Sequence, residues 1–206
     1  LQKLFELEVP EIEDGIIEIK KISRVPGERS KVLVYSSDRR IDAVGACVGM
    51  KGNRIQSIVR ELNGEKIDII NWSEQPELLI TRAIAPSKPI NLFIDEERPY
   101  VVAVFEDEEL PMAIGKNGQN TKLTSDVTGY NIDVISKRDY FLQQEIDLKK
   151  IKTLNSKILN SLKEHKIKTS RDFFKTSDEE LNKIKGIGPK TIEKIKESIA
   201  HVISSE

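Results

Sequence analysis

The chain is poor in the residues that build most metal and catalytic sites. It has one cysteine, Cys47, and two histidines, His165 and His201, which lie far apart in polar sequence. A single cysteine excludes an internal disulfide bond and a cysteine-rich zinc site, and its apolar neighbours predict a small buried core residue. The chain also lacks a P-loop, a His/Glu metal pair and a nucleophile with a nearby base in a known motif. We therefore expect no catalytic residue, no metal and no cofactor, and we do not expect an enzyme.

Long apolar runs and aromatic side chains are scarce as well. No stretch is long enough to span a membrane, and there is no signal peptide. Aromatic residues make up 5% of the 206 residues and charged residues 33%, which favours several small, well-solvated domains over one large core. We expect a cytoplasmic location and no membrane partner. The chain begins with Leu1 rather than Met, so we expect it to be part of a longer protein.

Charge of one sign is not in excess overall, but it is unevenly distributed. The formal net charge is −1, yet residues 20–60 hold ten Lys/Arg against three Asp/Glu, and residues 148–206 hold 14 against eight. Basic segments of this kind suit contact with a polyanion. For the C-terminal segment, ordinary solvated helix faces explain the pattern equally well.

Against this background a short motif occurs twice. The turn Gly49-Met50-Lys51-Gly52 returns 66 residues later as Gly115-Lys116-Asn117-Gly118, each time after an apolar segment. Each copy ends in an Ile-Asp-x-Ile strand, and these ends are 65 residues apart. The copies therefore differ by one residue, which we place at the turn or at the start of the following helix. A repeat that occurs only twice indicates tandem domains rather than a solenoid.

Two glycines let the backbone reverse tightly between two helices. The following helix starts with unpaired N–H groups and the positive end of its dipole, where a phosphate is stabilised. The KH module clamps about four nucleotides with such a GXXG loop, and it needs splayed bases, so single-stranded RNA is the expected ligand. The predicted order of strand, strand, helix, turn, helix, strand resembles the prokaryotic (type II) KH fold.

Further local patterns give testable details. Asp42 is placed to cap a short helix that ends at Val48. The acids at 107–109 are expected in the first turn of a helix, where its dipole favours them. Asn120 takes the place of Ile55 in the second copy, so the second helix should pack less well or use Asn120 for contact. Strands are predicted at residues 15–22, 31–35, 66–71, 88–94 and 100–105, and a helix from Pro76 through Ile84. Two further helices are predicted: one after Gly52, with Ile55, Ile58, Val59 and Leu62 on one face, and one after Gly118, with Leu123 and Val127 on one face.

The last sixty residues have a different character, with apolar faces at helical spacing. The segment Lys185-Gly186-Ile187-Gly188-Pro189-Lys190 is followed by another such helix, with Pro189 in its first turn. It resembles a helix-hairpin-helix module, in which Gly-x-Gly backbone N–H groups face a nucleic-acid phosphate. A purely structural hairpin in a small helical bundle that binds protein is the alternative. The candidate contacts on the hairpin are Gly186, Ile187, Gly188 and Lys190.

Four segments, residues 5–12, 42–49, 71–74 and 113–120, closely resemble the bacterial transcription factor family NusA, and the resemblance covers about residues 1–138. It implies that the tandem KH pair binds nascent RNA in an extended form and that RNA polymerase and other transcription factors are partners in pausing, termination and antitermination. The sequence departs from the family at Met50-Lys51, where Pro-Lys is common. Because the sequence shows no resemblance to the family's polymerase-binding N-terminal domain or OB-fold domain, we expect it to be a fragment. Its C-terminal segment is basic, whereas the family's C-terminal repeats are often acidic.

The expected fold class is α+β, with two tandem type II KH domains followed by a small all-α helix-hairpin-helix domain. We expect a lead-in helix at 1–14, KH domains at 15–72 and 73–138, a linker at 139–150 and the helical domain at 151–206. The expected function is clamping of single-stranded RNA; a protein-interaction scaffold that docks through the helical domain is the alternative. The expected RNA-binding residues are Gly49, Met50, Lys51, Gly52, Asn53 and Arg54 in the first copy, and Gly115, Lys116, Asn117, Gly118, Gln119 and Asn120 in the second.

Overall fold

Three groups of secondary-structure elements follow one another along the chain. The structure is a computed structural model and describes residues 1–151 and 154–204. It divides into two compact units, Leu1–Val134 and Ile135–Glu206. The first unit contains two similar α/β modules, and the second is helical. Among the described residues, no helix combines the length and the apolar character needed to cross a membrane.

The first module is a three-stranded sheet covered by helices. Strand β1 pairs with β2 in antiparallel fashion, and β2 pairs with β3 in parallel fashion, so the sheet order is β1-β2-β3. The parallel pair requires a crossover, which the two helices α3 and α4 and the turn between them provide. The elements are α1 (Gln2–Glu8), α2 (Pro10–Glu13), β1 (Ile17–Val25), β2 (Arg29–Ser36), α3 (Ala43–Val48), a 3₁₀ turn (Met50–Gly52), α4 (Asn53–Glu61) and β3 (Lys66–Asn71).

The helix cap and the apolar helix face predicted in the first module are present in the structure. The Asp42 carboxylate accepts a hydrogen bond from the Gly45 amide and caps α3. Helix α4 buries Ile58 completely, and Ile55 and Leu62 pack beside it. The lead-in is more than a linker, because Phe5 and Val9 are fully buried in the same core. Helices α1 and α2 are therefore structural parts of the first module.

The second module repeats this plan. Its sheet has the order β4-β5-β6. The acids at 107–109 were predicted in the first turn of a helix, but they precede helix α6 (Leu110–Ile114). Glu109 is its N-cap, and Pro111 occupies its first turn. The elements are α5 (Pro76–Ala83), β4 (Asn91–Ile94), β5 (Tyr100–Phe105), α6 (Leu110–Ile114), a 3₁₀ turn (Lys116–Gly118), α7 (Gln119–Thr128) and β6 (Asn131–Ser136).

Strand β2 is buried on both faces because it contributes to two cores. Val32 and Val34 belong to the core of the first module, whereas Leu33 belongs to a cluster with Leu79 and Val127 of the second module. This alternation follows the two-residue period of a strand. A strand buried on both faces reads as a continuous apolar run, as residues 32–34 do. The two modules of the first unit thus share an apolar interface.

Lys31 lies on the interface side of β2 and is almost fully buried, with 1% of its surface exposed. Its Nζ atom donates to the Ala83 carbonyl oxygen, 2.6 Å away, at the end of α5, and it lies 3.0 Å from Asp68 Oδ2. Burial lowers the pKa of Lys31, and the Asp68 carboxylate opposes that shift. A charged side chain of the first module therefore binds the backbone of the second.

The second unit has a single helical core. Its elements are α8 (Lys137–Gln143), a 3₁₀ turn (Leu148–Lys150), α9 (Ser156–Glu164), α10 (Ser170–Lys175), α11 (Asp178–Asn182) and α12 (Pro189–Ser204). The segment 139–150, predicted to be a linker, differs from that expectation, because Phe141 and Leu148 are buried in this core. Aromatic packing explains the difference, since the Phe141 ring stacks on Phe174 at 5.0 Å between centroids. The predicted helical domain, 151–206, includes residues 152–153 and 205–206, which lie outside the described part of the protein.

Candidate nucleic-acid interface

The two Gly-x-x-Gly turns, called here the first clamp loop (residues 49–52) and the second clamp loop (residues 115–118), have the same backbone conformation. The first glycine has φ/ψ of 75°/172° at Gly49 and 74°/173° at Gly115. The third residue has φ/ψ of 53°/25° at Lys51 and 54°/29° at Asn117. The repeat is therefore a duplication of geometry as well as of sequence.

The extra residue of the first copy lies elsewhere than predicted. The loops and the starts of α4 and α7 match residue for residue. After α4 the chain has two residues with positive φ, Asn63 and Gly64, whereas after α7 it has only Gly129. The insertion is therefore at the end of the second helix, not at the turn or the helix start. Counted from the loops, Asn120 corresponds to Arg54 rather than to Ile55.

The side chains at the tips of both loops face solvent. Met50 is 85% exposed, and Lys51, Lys116 and Asn117 are exposed as well. No described carboxylate forms an ion pair with Lys51 or Lys116. Each loop thus presents an unpaired ammonium group and a polar or flexible neighbour to an approaching phosphate. These four predicted contact residues are therefore accessible to a ligand.

Arg54 uses one nitrogen of its guanidinium group for contacts inside the first module. Its Nη1 atom donates to the Ala46 carbonyl oxygen at 2.7 Å and to both Glu11 carboxylate oxygens at 2.9 and 3.1 Å. The arginine thereby holds α3, α4 and α2 together behind the loop. Its side chain is 28% exposed, and its role as a phosphate contact stays a prediction.

Asn120 is fully buried, so its predicted contact with RNA is corrected. Its Nδ2 atom donates to the Ile84 carbonyl oxygen at 2.9 Å and to the Ala113 carbonyl oxygen at 3.1 Å. Thr124, one turn later, donates to the Ala83 carbonyl oxygen at 3.0 Å. These polar residues of α7 therefore donate hydrogen bonds, from within the core, to backbone carbonyl oxygens at the C-terminal ends of α5 and α6.

The remaining predicted contacts flank the loops. Asn53 is exposed, and Gln119 hydrogen-bonds Glu28 of the first module. The backbone amides expected to face a phosphate are partly used, since the Gly52 and Gly118 amides donate to Gly49 and Gly115 at 3.0 and 3.2 Å. Asn53 and Gln119 likewise direct their backbone N–H groups to the second residue of each loop. Side chains at the loop tips are therefore the better candidates for direct contact.

Sequence reasoning overlooked an aromatic pair beside the first sheet. Tyr35 and the single tryptophan, Trp72, meet edge to face at 5.3 Å between ring centroids. Lys20 Nζ lies 5.1 Å from the Tyr35 ring and 5.5 Å from the Trp72 ring. The sequence has few aromatic residues, and two of them lie at the matching ends of β2 and β3. This placement is the signal from which the aromatic pair could have been predicted.

The predicted hairpin of the second unit lies between α11 and α12. Gly186 has a φ of 87°, and a Cβ at Gly188 would meet nothing within 4 Å. Ile187, in contrast, is buried in the helical core, so its side chain anchors the hairpin and does not contact a ligand. Gly186 and Lys190 remain exposed, and Gly188 is partly so. Within the described residues, no group of three or more His, Cys, Asp or Glu side chains is arranged to hold a metal ion.

Comparison with known proteins places these modules in a family. The NusA-like first KH domain matches residues 1–72, and the NusA-like second KH domain matches residues 76–141. The chain belongs to the NusA family. The two modules of its first unit are therefore NusA-like tandem KH domains. Residues 140–201 match a third family, the C-terminal domain of the bacterial RNA polymerase alpha subunit.

Individual NusA relatives are closely similar over the KH pair. Proteins named transcription termination/antitermination protein NusA from Bacillus subtilis and Halalkalibacterium halodurans are each 48% identical over 139 residues, which is 68% of this chain. The Rickettsia conorii protein of the same name is also 48% identical over 139 residues. The matched region spans 38%, 36% and 28% of these three proteins. A solved structure titled "Crystal structure of APE1850" aligns with 66% of this chain and 96% of its own, at 19% identity and a TM-score of 0.47.

Proposed function

We propose that the tandem KH pair binds single-stranded RNA through both clamp loops, as part of a cytoplasmic factor that modulates RNA polymerase in transcription termination and antitermination. The observation that carries the proposal is the pair of loops with matching backbone angles and exposed, unpaired lysines. The names of the NusA relatives support the setting in transcription. The proposed activity is binding, and no catalytic step is assigned.

Each loop residue has a defined role in this proposal. The glycines create the tight reversal, and Lys51 and Lys116 place positive charge next to a phosphate. Met50 and Asn117 complete the exposed tips, where a small or flexible side chain lets the nucleotide backbone come close. Base selection would come from the groove beside each loop, as in other KH modules.

The test is RNA binding measured by fluorescence anisotropy with a labelled single-stranded oligonucleotide. The variant carries Met50→Asp, Lys51→Asp, Lys116→Asp and Asn117→Asp, which add acid at both tips while the exposed turns still fold. We expect affinity to fall at least about tenfold, roughly 1.4 kcal/mol. Circular dichroism checks that the variant is folded.

A matched control separates a local effect from a change in total charge. The variant Lys21→Asp, Ser37→Asp, Gln75→Asp and Lys88→Asp alters the net charge equally, at exposed positions away from the loops. It should lose much less affinity than the loop variant, since only its long-range electrostatic effect remains. Equal losses in both variants would show that the loops are structural turns and would overturn the proposal.

A second candidate function concerns the helical unit alone. Its match to the C-terminal domain of the RNA polymerase alpha subunit favours docking within the transcription machinery. Binding of the full chain to immobilised RNA polymerase should weaken when Lys185→Glu and Lys190→Glu reverse charge on the hairpin, while RNA affinity stays unchanged. Unchanged polymerase binding would remove the hairpin from the docking surface.

A further inference from the structure

The helical unit contains a pocket of about 190 Å³ on the side of α9. Its walls are residues 159–163 of α9, the 3₁₀ turn after Asp147, and the segment after α9, which a bridge joins to this turn. The bridge is formed by the Leu148 amide, which donates to the Lys168 carbonyl oxygen at 3.0 Å, and by the pairing of Asp147 with Thr169. Backbone hydrogen bonds therefore fix the shape of the pocket.

The pocket has an aliphatic floor and a basic rim. Leu148 and Ile167 are buried, and Leu159 packs partly against the same core. Three lysines, Lys149, Lys163 and Lys168, line the opening. All three are exposed, and none forms an ion pair with a carboxylate in the described part of the protein. Lysine side chains can cover apolar surface with their stems while their ammonium groups stay in water.

Charge in this region is strongly one-sided. Residues 147–169 contain seven lysines and only two acids, Asp147 and Glu164. The Asp147 carboxylate accepts a hydrogen bond from the Lys149 amide at 2.9 Å and caps the 3₁₀ turn. Among the described residues, the ammonium groups around the pocket are therefore unpaired and exposed to solvent.

We propose that this pocket binds an acidic peptide segment of a protein partner, with one aliphatic side chain of the peptide on the Leu148, Leu159 and Ile167 floor and its carboxylates on Lys149, Lys163 and Lys168. The apolar floor selects this occupant over a nucleic acid. Bases are held by stacking on aromatic rings or Arg guanidinium planes, and the pocket has neither. An aliphatic side chain, in contrast, gains from burial on an aliphatic floor.

This inference is independent of RNA clamping, since every residue in it belongs to the helical unit. Its probe is a synthetic peptide, acetyl-Asp-Glu-Glu-Leu-Glu-Glu-Asp-amide, added to the isotopically labelled full chain. We expect NMR amide shifts to change at the floor and rim residues of the pocket and binding to weaken as salt rises. The same peptide with Ser in place of Leu should bind at least fivefold more weakly.

Two variants test the rim and the floor separately. Lys163→Glu with Lys168→Glu should reduce peptide affinity at least tenfold, and Leu159→Asn should reduce it while leaving the charge unchanged. Lys175→Glu with Lys194→Glu, at exposed positions on α10 and α12, changes the charge equally and is the matched control, which should have little effect. RNA affinity through the clamp loops should stay the same in all three, so that failure here and failure of RNA clamping remain distinguishable.

Three results would overturn the proposal. The first is peptide binding that does not depend on the leucine, because the floor would then have no role. The second is peptide binding equally weakened by the control pair Lys175→Glu with Lys194→Glu, which would indicate diffuse attraction. The third is an absence of peptide-induced shifts at the pocket while single-stranded RNA or duplex DNA shifts the same amides and loses affinity on Lys163→Glu with Lys168→Glu.

Discussion

The two glycines of a clamp loop are under different constraints. Gly115 has φ/ψ of 74°/173°, a region that is essentially restricted to glycine, and a Cβ there would lie 2.8 Å from Asn120 Cβ and 3.0 Å from the Asn120 amide. Gly118 has φ/ψ of 72°/10°, the left-handed helical region, and a Cβ there would meet nothing within 4 Å. The first glycine lets two helices approach closely, and the second only reverses the chain.

We therefore predict unequal effects of alanine at the two positions. Gly115→Ala should destabilise the protein by more than about 3 kcal/mol, because backbone strain and a backbone clash add together. Gly118→Ala should destabilise it by about 1 kcal/mol, the usual penalty of the left-handed region, and Gly118→Asn by less. Urea unfolding followed by circular dichroism measures the difference. Equal losses at Gly115 and Gly118 would contradict this account of the loop.

Glu65 connects the β1–β2 turn of the first module to the start of β3. Its side chain is fully buried and accepts hydrogen bonds from Arg24 at 2.8 and 2.9 Å, from the Gly27 amide at 2.8 Å and from the Ser30 hydroxyl. The Arg24 side chain, followed by Ser30 and Gly27, lowers the pKa of Glu65 to about 2. The folded state therefore prefers the carboxylate more strongly than the unfolded state does.

This shift predicts a pH dependence with a definite sign. Because the folded pKa lies below the unfolded value of 4.5, the stabilisation is complete above pH 4.5 and is lost as pH falls towards about 2. The contribution is at most about 3 kcal/mol, at 1.36 kcal/mol for each pKa unit. Glu65→Gln should lower stability at pH 7 and flatten the decline between pH 4.5 and 2. Glu61→Gln, at an exposed carboxylate, should leave the pH profile close to that of the native protein.

At the scale of elements, strand β2 holds the two KH domains together through Lys31. Removing the ammonium group and removing its partner have different consequences. In Lys31→Met, the Ala83 carbonyl oxygen keeps its bond from Thr124, and Asp68 keeps its bond from Arg29 at 2.8 Å. When the partner is removed instead, as in Asp68→Asn, the buried ammonium group of Lys31 loses its counter-charge.

We predict that Lys31→Met changes stability by less than about 1.5 kcal/mol, whereas Asp68→Asn lowers it by about 2 kcal/mol at pH 7, the partial exposure of Asp68 moderating the loss. The folded pKa of Lys31 is already below that of the unfolded state, and Asp68→Asn lowers it further. The unfolded state then binds more protons, so the stability of Asp68→Asn should rise between pH 7 and 10 more steeply than that of the native protein.

Thermal unfolding at several pH values measures both effects. The double variant Lys31→Met with Asp68→Asn removes the titrating group, and its stability should show no extra rise with pH. A larger loss in Lys31→Met than in Asp68→Asn would show that the ion pair, and not the burial of a single charge, dominates this contact.

The elements that sequence reasoning predicted well are those with strong local signals. The α4 periodicity, the Asp42 cap and the β3 strand depend on neighbouring residues, and the structure has them at the predicted positions. Asn120 was misassigned because its role depends on distant backbone carbonyl groups. From sequence, a polar residue next to a GXXG turn looks available for a ligand. Only the tertiary structure shows that Asn120 hydrogen-bonds the Ile84 and Ala113 carbonyl oxygens.

The linker at 139–150 was misjudged for a related reason. Phe141 and Leu148 are seven residues apart, but the positions between them at helical spacing, Gln144 and Glu145, are polar, so no continuous apolar face is seen. Their core is completed by residues such as Phe173, much later in the sequence. The lysine-rimmed pocket was equally invisible, because Lys149 and Lys168 come together only through the bridge between Asp147 and Thr169. Long-range pairing of short segments leaves little trace in local patterns.

At the scale of the first unit, the shared interface would determine how the two proposed RNA clamps act together. One KH module holds about four nucleotides, so a short RNA can use only one loop. An RNA that reaches both loops binds the second one intramolecularly, at an effective concentration fixed by the geometry of the modules. The apolar cluster of Leu33, Leu79 and Val127 maintains that geometry. Its integrity should therefore affect long RNA more than short RNA.

We predict that Leu79→Ala, which opens a cavity in the interface, lowers affinity for a single-stranded 20-mer several-fold and leaves affinity for a 5-mer unchanged. Ile132→Ala is the matched control, because Ile132 is similarly buried but belongs to the core of the second module. Both variants should lose about 2–4 kcal/mol of stability, yet only Leu79→Ala should alter the ratio of the two affinities. Anisotropy titrations well below the unfolding midpoint provide that ratio. If both variants leave the ratio unchanged, the KH domains bind RNA as independent modules, and their shared core serves stability alone.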